Sequence, residues 1–370
     1  MSSGIGKALR IQIFGESHGA AVGVTLDGLP AGLSLDMRAL EACVNRRAAK
    51  GSELATARRE SDAPRILSGL HDGVTTGQPL CAIFENADTH SSDYGFLPDR
   101  PRPGHADYPA IVKSGGYDDL NGSGHHSGRL TLPYVFAGGV AMRLLDTVGV
   151  TVGAHVLRIG GVADRALDAL NPDMEALRAC CALEIPTLDP SAGASMRQAI
   201  LDAKRELDSL GGVIEVAATG LPVGLGAPFF DGVEALAAEH FFSIPAVKGV
   251  SFGAGFDAAA MRGSEYNDPY DIVNDRVRTL KNDAGGLLGG LTNGMPILAR
   301  VAFRPTPSIG RPQRTVSLSA MEATELTVKG RHDPCIVVRA VPVVESALAL
   351  ALCELWLQRR GDQPLKESNK

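Results

Sequence analysis

From 86 to 128 the sequence keeps neither the two-residue period of a strand nor the 3.6-residue period of a helix, and Gly, Pro, Asp and His recur throughout it. A run of that length without regular structure inside a folded chain is usually functional or disordered. The regular elements lie on either side of it. Residues 9–14 and 22–26 alternate as strands, with Asp27-Gly28 read as a hairpin turn. A helix is expected from Asp36 to about Arg46-Arg47, with Met37, Leu40 and Val44 on one face, and strands at 65–68 and 80–84. Beyond the aperiodic run, Tyr134, Ala137, Ala141, Leu144, Leu145 and Val148 recur at three and four residues and predict a helix starting at 130–133. Strands follow at 150–159, 213–217, 247–252 and 296–303. A helix at 194–210 stops at Gly211-Gly212, and a Leu- and Ala-rich helix covers 343–359. The order is α+β or layered α/β, not strict βαβα alternation. No repeat or composition shift marks a linker, so residues 1–370 are read as one large unit.

Composition narrows the function. With 44% hydrophobic and 21% charged residues the chain is an ordinary folded protein rather than a disordered, collagenous or coiled-coil one. A net charge of -6 argues against a general nucleic-acid surface, so an anionic ligand has to be caught locally. The 43 glycines and 22 prolines imply many sharp turns and close backbone approaches. Cys43, Cys81, Cys180, Cys181, Cys335 and Cys353 show no C-x-x-C pair, which fits a reducing cytoplasm better than a disulfide framework. Neither an export signal nor a membrane span is expected.

Four glycine-flanked segments carry the candidate chemistry. Gly15-Glu16-Ser17-His18-Gly19 matches the G-x-S-x-G pattern of a nucleophile elbow, but that motif needs a helix after it and 20–26 reads as a strand. Arg102-Pro103-Gly104-His105-Ala106-Asp107 places a histidine beside a cation and a carboxylate. Asn121-Gly122-Ser123-Gly124-His125-His126-Ser127-Gly128-Arg129 leads into a helix N-terminus, where freed backbone N–H groups and Arg129 can hold an anion. Gly330-Arg331-His332-Asp333-Pro334-Cys335 sets a cation, an imidazole and a carboxylate side by side. His105 with Asp107, the pair His125-His126, and His332 with Asp333 are metal-ligand types, but no spacing is diagnostic and no metal is assigned. With arginines at 46, 47, 58, 59, 102, 129, 331 and 339, the residues describe a small substrate bearing several negative charges and histidines for proton transfer.

These motifs resemble chorismate synthases. The ordered matches are FGESHG at 14–19, LSG at 67–69, GVTTG at 73–77, RPGHAD at 102–107, AGG at 284–286, GG at 289–290, RPTPSI at 304–309, GRHDPC at 330–335 and RAVPVVE at 339–345. The resemblance implies a β-α-β sandwich built as one core, a homotetramer and reduced FMN as cofactor. It implies the 1,4-anti elimination of phosphate from 5-enolpyruvylshikimate 3-phosphate, a carbon–oxygen lyase reaction of the shikimate pathway that serves aromatic amino acid biosynthesis. By resemblance His18, His105 and Asp333 are catalytic. His105 protonates the leaving phosphate, His18 serves the reduced flavin as acid and Asp333 assists proton removal. FMN would lie against His125, His126, Ser127, Pro245, Ala246, Gly289, Arg304, Pro305, Thr306, Pro307, Ser308 and Arg331, and substrate against Arg47, Arg102, Ser127, Arg129 and Arg331. The chain departs from the pattern where H-H-S-G-R-L-T at 125–131 replaces R-S-S-A-R-E-T, and where Glu53, Pro245 and Arg304 stand for a basic residue, Asn and Lys. No G-x-G-x-x-G follows a strand, so NADPH is expected to act only through a separate flavin reductase. A serine hydrolase using Ser17 and a flavin-binding protein without turnover are the competing readings.

Overall fold

The computed structural model describes residues 3–48, 53–54, 62–86, 95–328 and 333–362, the last three as backbone only. Two five-stranded antiparallel sheets enclose a layer of helices. The first sheet takes β1 (Gly4–Ile5), β2 (Arg10–Gly15), β3 (Ala21–Asp27), β4 (Arg65–Ser68) and β5 (Leu80–Glu85) in the order β1-β2-β3-β5-β4. The second takes β6 (Thr151–Ile159), β7 (Val162–Ala163), β8 (Gly212–Thr219), β9 (Val247–Phe252) and β10 (Ile297–Phe303) in the order β9-β10-β8-β6-β7. The helices are α1 (Met37–Arg47), α2 (Asp107–Ser114), α3 (Thr131–Asp146), α4 (Met174–Cys180), α5 (Pro190–Arg205), α6 (Val233–Phe242), the single turn α7 (Gly263–Tyr266) and α8 (Val337–Asp362).

The reason for the layering is in α3 and α8. Both are apolar on every side, and a helix without a polar face has to be enclosed. α3 packs on β2, β3 and β5, α8 on β6 and β8, and the two helices lie against each other, with α1 and α6 beside them. One apolar cluster therefore runs from Leu9 to Leu355 through both sheets. Within α8, Val337–Arg359 is long and apolar enough to cross a membrane, but 89% of its most apolar window is buried between the sheets. That burial is what a core helix shows.

Close approach of the helices depends on two glycines. A Cβ on Gly138 would fall 2.1 Å from Ser346 Cβ on α8, and one on Gly139 would fall 2.8 Å from Leu40 Cδ2 on α1.

Four expectations need correction. Asp27-Gly28 is no hairpin turn, because the β2–β3 connection is residues 16–20 and the chain leaves the sheet after Asp27. The helix expected at 194–210 spans Pro190–Arg205, with Asp189 as N-cap and Pro190 in its first turn, and Leu207 at φ 57 turns the chain well before Gly211. α8 begins six residues before 343 and carries Pro342 inside it. The aperiodic run contains α2, whose exposed Tyr108 and Val112 erase the apolar stripe that would have marked it.

Gly138→Val should lower stability by about 2 kcal/mol or more through overpacking against Ser346. Gly161→Ala, where a Cβ meets nothing within 4 Å, should change it by less than about 0.5 kcal/mol. Denaturant midpoints of the two variants test the pair.

Candidate active site

The β2–β3 connection is a tight turn closed by Gly19 N–H to Glu16 O at 3.1 Å. A strand, not a helix, follows it, and Ser17 is only 1% exposed, so the nucleophile-elbow reading is overturned. Ser17 N–H donates to Gly124 O at 3.1 Å, docking the turn on the segment Asn121–His126. There Gly122 has φ 58, and a Cβ on it would lie 2.6 Å from His18 Nε2. Only glycine lets the His18 ring rest on that backbone.

A cleft of about 630 Å³ opens beside this segment, lined by Ile5, Ile11 and Ile13 of the first sheet, by Ser3 ahead of it, by Ser123, Leu130 and Thr131, and by Glu239, His240, Ser243 and Ile244 at the end of α6. His105, His125, His126, Ser127, Pro245 and Arg304 all face it. His125 is clamped: Nδ1 is 2.8 Å from Gly15 O and Nε2 is 2.7 Å from Ser3 Oγ. A carbonyl can only accept, so Nδ1 carries the proton and Nε2 accepts from the Ser3 hydroxyl. His126 lines the cleft too, but its Nε2 lies 3.5 Å from Asp118. The adjacent imidazoles do not converge, and among the described residues no three His, Cys, Asp or Glu side chains are arranged to hold a metal.

His105 sits on a loop stiffened by Arg102. That guanidinium meets Asp107 through Nε and Nη2, both at 2.8 Å, and Nη2 also donates to Ser123 Oγ at 2.8 Å. Asp107 additionally accepts the backbone N–H of Arg102 at 2.9 Å. Arg304 closes the other side by donating to Gly104 O at 3.0 Å. Burial pushes the His105 imidazole down to about 4, Arg102 and Arg304 push the same way, and Asp107 opposes them. At neutral pH His105 is therefore uncharged in the ligand-free protein. Pro307 lies against Gly104, the Arg304 N–H donates to Ala246 O at 3.0 Å, and Thr306 Oγ1 is buried with no partner among the described residues.

Behind the wall formed by 127–131 lies an arginine cluster. Arg47 Nε donates to Thr131 Oγ1 at 2.8 Å and its Nη2 to Gly128 O at 2.9 Å. Arg129 Nη1 donates to Asp62 at 2.5 Å and its Nε to Asn86 Oδ1 at 3.2 Å, and Asp62 lies 3.9 Å from Arg47. Arg339 pairs with Asp333. Burial, then the neighbouring Arg339, pulls the Arg47 guanidinium down to about 9, with Arg129 adding to the shift and Asp62 and Asp333 resisting it, so it stays charged at neutral pH. Among these described residues, three guanidinium groups face two carboxylates.

The structure thus sets His105, His125, His126, Ser127, Pro245 and Arg304 around the cleft, with His18 against Gly122 in the neighbouring segment, Ala246 bonded to Arg304 and Pro307 against Gly104, and places Arg47, Arg129 and Asp333 in the cluster. Gly289 is not among the residues lining the cleft. It precedes Gly290, whose carbonyl accepts from Val233 at the start of α6, whereas the cleft meets the far end of that helix, about 15 Å away at 1.5 Å per residue. Arg331 and His332 lie outside the described residues. Sequence reasoning missed Asp62, Asn86 and the pair Tyr134–His240, whose Oη to Nδ1 distance is 2.8 Å in the cleft wall. Asn86 does carry a signal, as the polar residue at which strand β5 gives way to the aperiodic run.

The family model described as chorismate synthase matches residues 9–357. Curated relatives named chorismate synthase include one from Pyrococcus abyssi, 48% identical over 96% of this chain and 98% of its own length. Another, from Dehalococcoides mccartyi, is 43% identical over 97% of each chain. A solved structure titled "Crystal Structure of Chorismate Synthase" superposes with a TM-score of 0.76 at 27% identity, covering 96% of this chain and 94% of that one.

Burial holds His240, like His105, down to about 4, against an ordinary value of 6.5, with Glu354 opposing the shift. The unfolded chain then binds more protons than the folded one between those values, so stability present above pH 6.5 is lost as pH falls toward 4. The loss should be on the order of 2–3 kcal/mol per histidine. Denaturant titrations across that window test it, and His240→Gln, which can still accept from Tyr134, should reduce the slope.

Proposed function

This chain belongs to the chorismate synthase family, and we propose that the cleft and the arginine cluster behind it form the site of the family's reaction. That reaction is the 1,4-anti elimination of phosphate from 5-enolpyruvylshikimate 3-phosphate, with a reduced flavin required although nothing is oxidised overall. The carrying observation is that the segment Asn121–Arg129 touches every part of the site: it backs His18, lines the cleft with His105, and supplies Arg129 to the cluster.

The residues present suit FMN. A cleft of about 630 Å³ lies within the size range of cofactor pockets, with isoleucines and Pro245 for a planar apolar ring and Arg304 for an anionic tail. FMN is read as held by His125, His126, Ser127, Pro245, Ala246 and 304–308, with Arg331 and Gly289 carried over from the family resemblance. Reduced flavin, when bound, lends electron density to the substrate and regains it. The rest is done by the chain. Arg47, Ser127, Arg129 and Arg331 bind the substrate's two carboxylates and phosphate, and Arg102 adds positive charge from behind Ser123. His105 starts neutral; a phosphate dianion beside it favours the imidazolium, so the substrate itself loads the proton that leaves with phosphate. His18 would serve the reduced flavin as acid, and Asp333, oriented by Arg339, would assist removal of the C6 hydrogen.

Several features support the wider reading. The large apolar cluster that runs from Leu9 to Leu355 supports one unit over 1–370. Six free cysteines suit a reducing cytoplasm. Tyr270, Ile272 and Val277, all more than half exposed on one hairpin, support self-association as a homotetramer. Reduced flavin would come from a separate reductase, with NADP chemistry done elsewhere. Glu53, where the family pattern has a basic residue, is ion-paired with Arg197 at 3.0 Å and offers no cation to a 2′-phosphate.

Chorismate should form from the phosphorylated enolpyruvyl substrate under anaerobic conditions with photoreduced FMN, and not with oxidised FMN or without flavin. In that assay His18→Ala and His105→Ala should each lose about 10²-fold or more while still binding flavin. Full activity in either variant would make that residue structural. NADPH should not bleach FMN absorbance with purified protein and substrate unless a reductase is added; bleaching at the rate of chorismate formation would refute the separate reductase.

A further inference from the structure

We propose that Asn86 is a positioning residue that locks the His18 turn to the substrate-binding Arg129. Its backbone N–H extends the β3–β5 ladder by one bond, to Ala20 O at 3.1 Å. Its side chain then spends every hydrogen-bonding group it has. The amide nitrogen Nδ2 donates to Glu16 O at 3.0 Å and to Gly19 O at 2.8 Å, the two carbonyls at the ends of the turn that carries His18. The amide oxygen accepts from Arg129 Nε at 3.2 Å. The orientation follows from the partners, because two carbonyls need a donor and a guanidinium N–H needs an acceptor.

No other residue type does this at that reach. Aspartate cannot donate to the carbonyls, leucine can do neither, and glutamine is one methylene too long. The consequence is geometric. His18 sits between the two bridged carbonyls in sequence, so its ring position against Gly122 depends on the turn's shape. Arg129 is held by Asn86 on one side and Asp62 on the other. One side chain thereby sets the distance between an acid and a substrate-binding cation, and a displacement of about 1 Å between such groups can cost around 10²-fold in rate.

The proposal rests on the roles given above to His18 and Arg129, and its test separates the two. In the holoenzyme with reduced FMN, Asn86→Asp and Asn86→Ala should each lower kcat about 10-fold or more, with flavin affinity kept. In a His18→Ala background the same substitutions should cost little further, because their effect runs through His18. Equal losses in both backgrounds would mean a general structural role and overturn the proposal. A loss in Asn86→Asp alone would assign the effect to the new charge and overturn it too. Independently of turnover, the imidazole NMR signals of His18, assigned by their absence in His18→Ala, should shift in Asn86→Ala. Unchanged signals would overturn the proposal whatever the assay returns, and chorismate formation by the parent enzyme judges the reading of the site.

Discussion

Polar groups on an apolar helix set the terms of this fold. α8 fills the interior, yet it carries Glu345, Ser346 and Glu354, all nearly or fully buried. Taking a carboxylate out of water costs several kcal/mol unless charge and hydrogen bonds replace the lost solvent. Glu345 is met by both terminal nitrogens of Arg46, at 2.6 and 3.1 Å, and by the Ala154 N–H at 3.1 Å. Against the cost of burial, that carboxylate holds the Arg46 guanidinium above its usual range. Glu354 accepts three successive backbone N–H groups, those of Lys7, Ala8 and Leu9. Ser346 donates back to Pro342 O at 2.7 Å, one turn earlier. α8 can therefore be buried only with α1, β6 and the β1–β2 turn already in register around it.

That requirement reaches the site through chain continuity. Arg47 follows Arg46 on α1, so the ion pair that satisfies Glu345 also fixes where Arg47 emerges beside Gly128 and Thr131. The turn held by Glu354 leads straight into β2, whose last residue, Gly15, gives its carbonyl to His125. Gly138 lets α3 close on α8, and α3 begins directly after Arg129. The core contact and the site residue are adjacent at Arg46–Arg47, and they are fewer than ten residues apart at the other two places, Leu9 to Gly15 and Arg129 to Gly138.

How far this was legible in the sequence follows from the same physics. The longer strands of both sheets and α1, α3 and α8 announce themselves because each buries apolar residues in a pattern, whereas the two-residue edge strands β1 and β7 are too short to write one. α2 buries chiefly Asp107 and Ala110 and so writes none. The catalytic candidates His18 and His105 are visible as glycine-flanked histidines, and in the fold the glycine against which the His18 ring rests is Gly122, from another segment, while Gly104 beside His105 admits Pro307. Asp62 and Asn86 were not visible, because what they do depends on groups distant in sequence. Asp62 meets an arginine 67 positions on, and Asn86 reaches back 70 residues to Glu16. The role of Arg102 also changes in three dimensions. Read along the chain it is a free cation for substrate, whereas folded it is committed to Asp107 and Ser123.

In the proposed site of this acidic protein the cations are not left bare. Unpaired guanidinium groups at this depth would repel one another, as the lowering of Arg47 by Arg339 and Arg129 shows. Asp62 and Asp333 oppose that repulsion. His105 is neutral for a different first reason: burial disfavours the imidazolium, and Arg102 and Arg304, not the cluster around Arg47, add to that effect against Asp107. Under the reaction proposed above, a phosphate placed beside His105 would reverse that balance, so that proton loading and substrate binding would be one event.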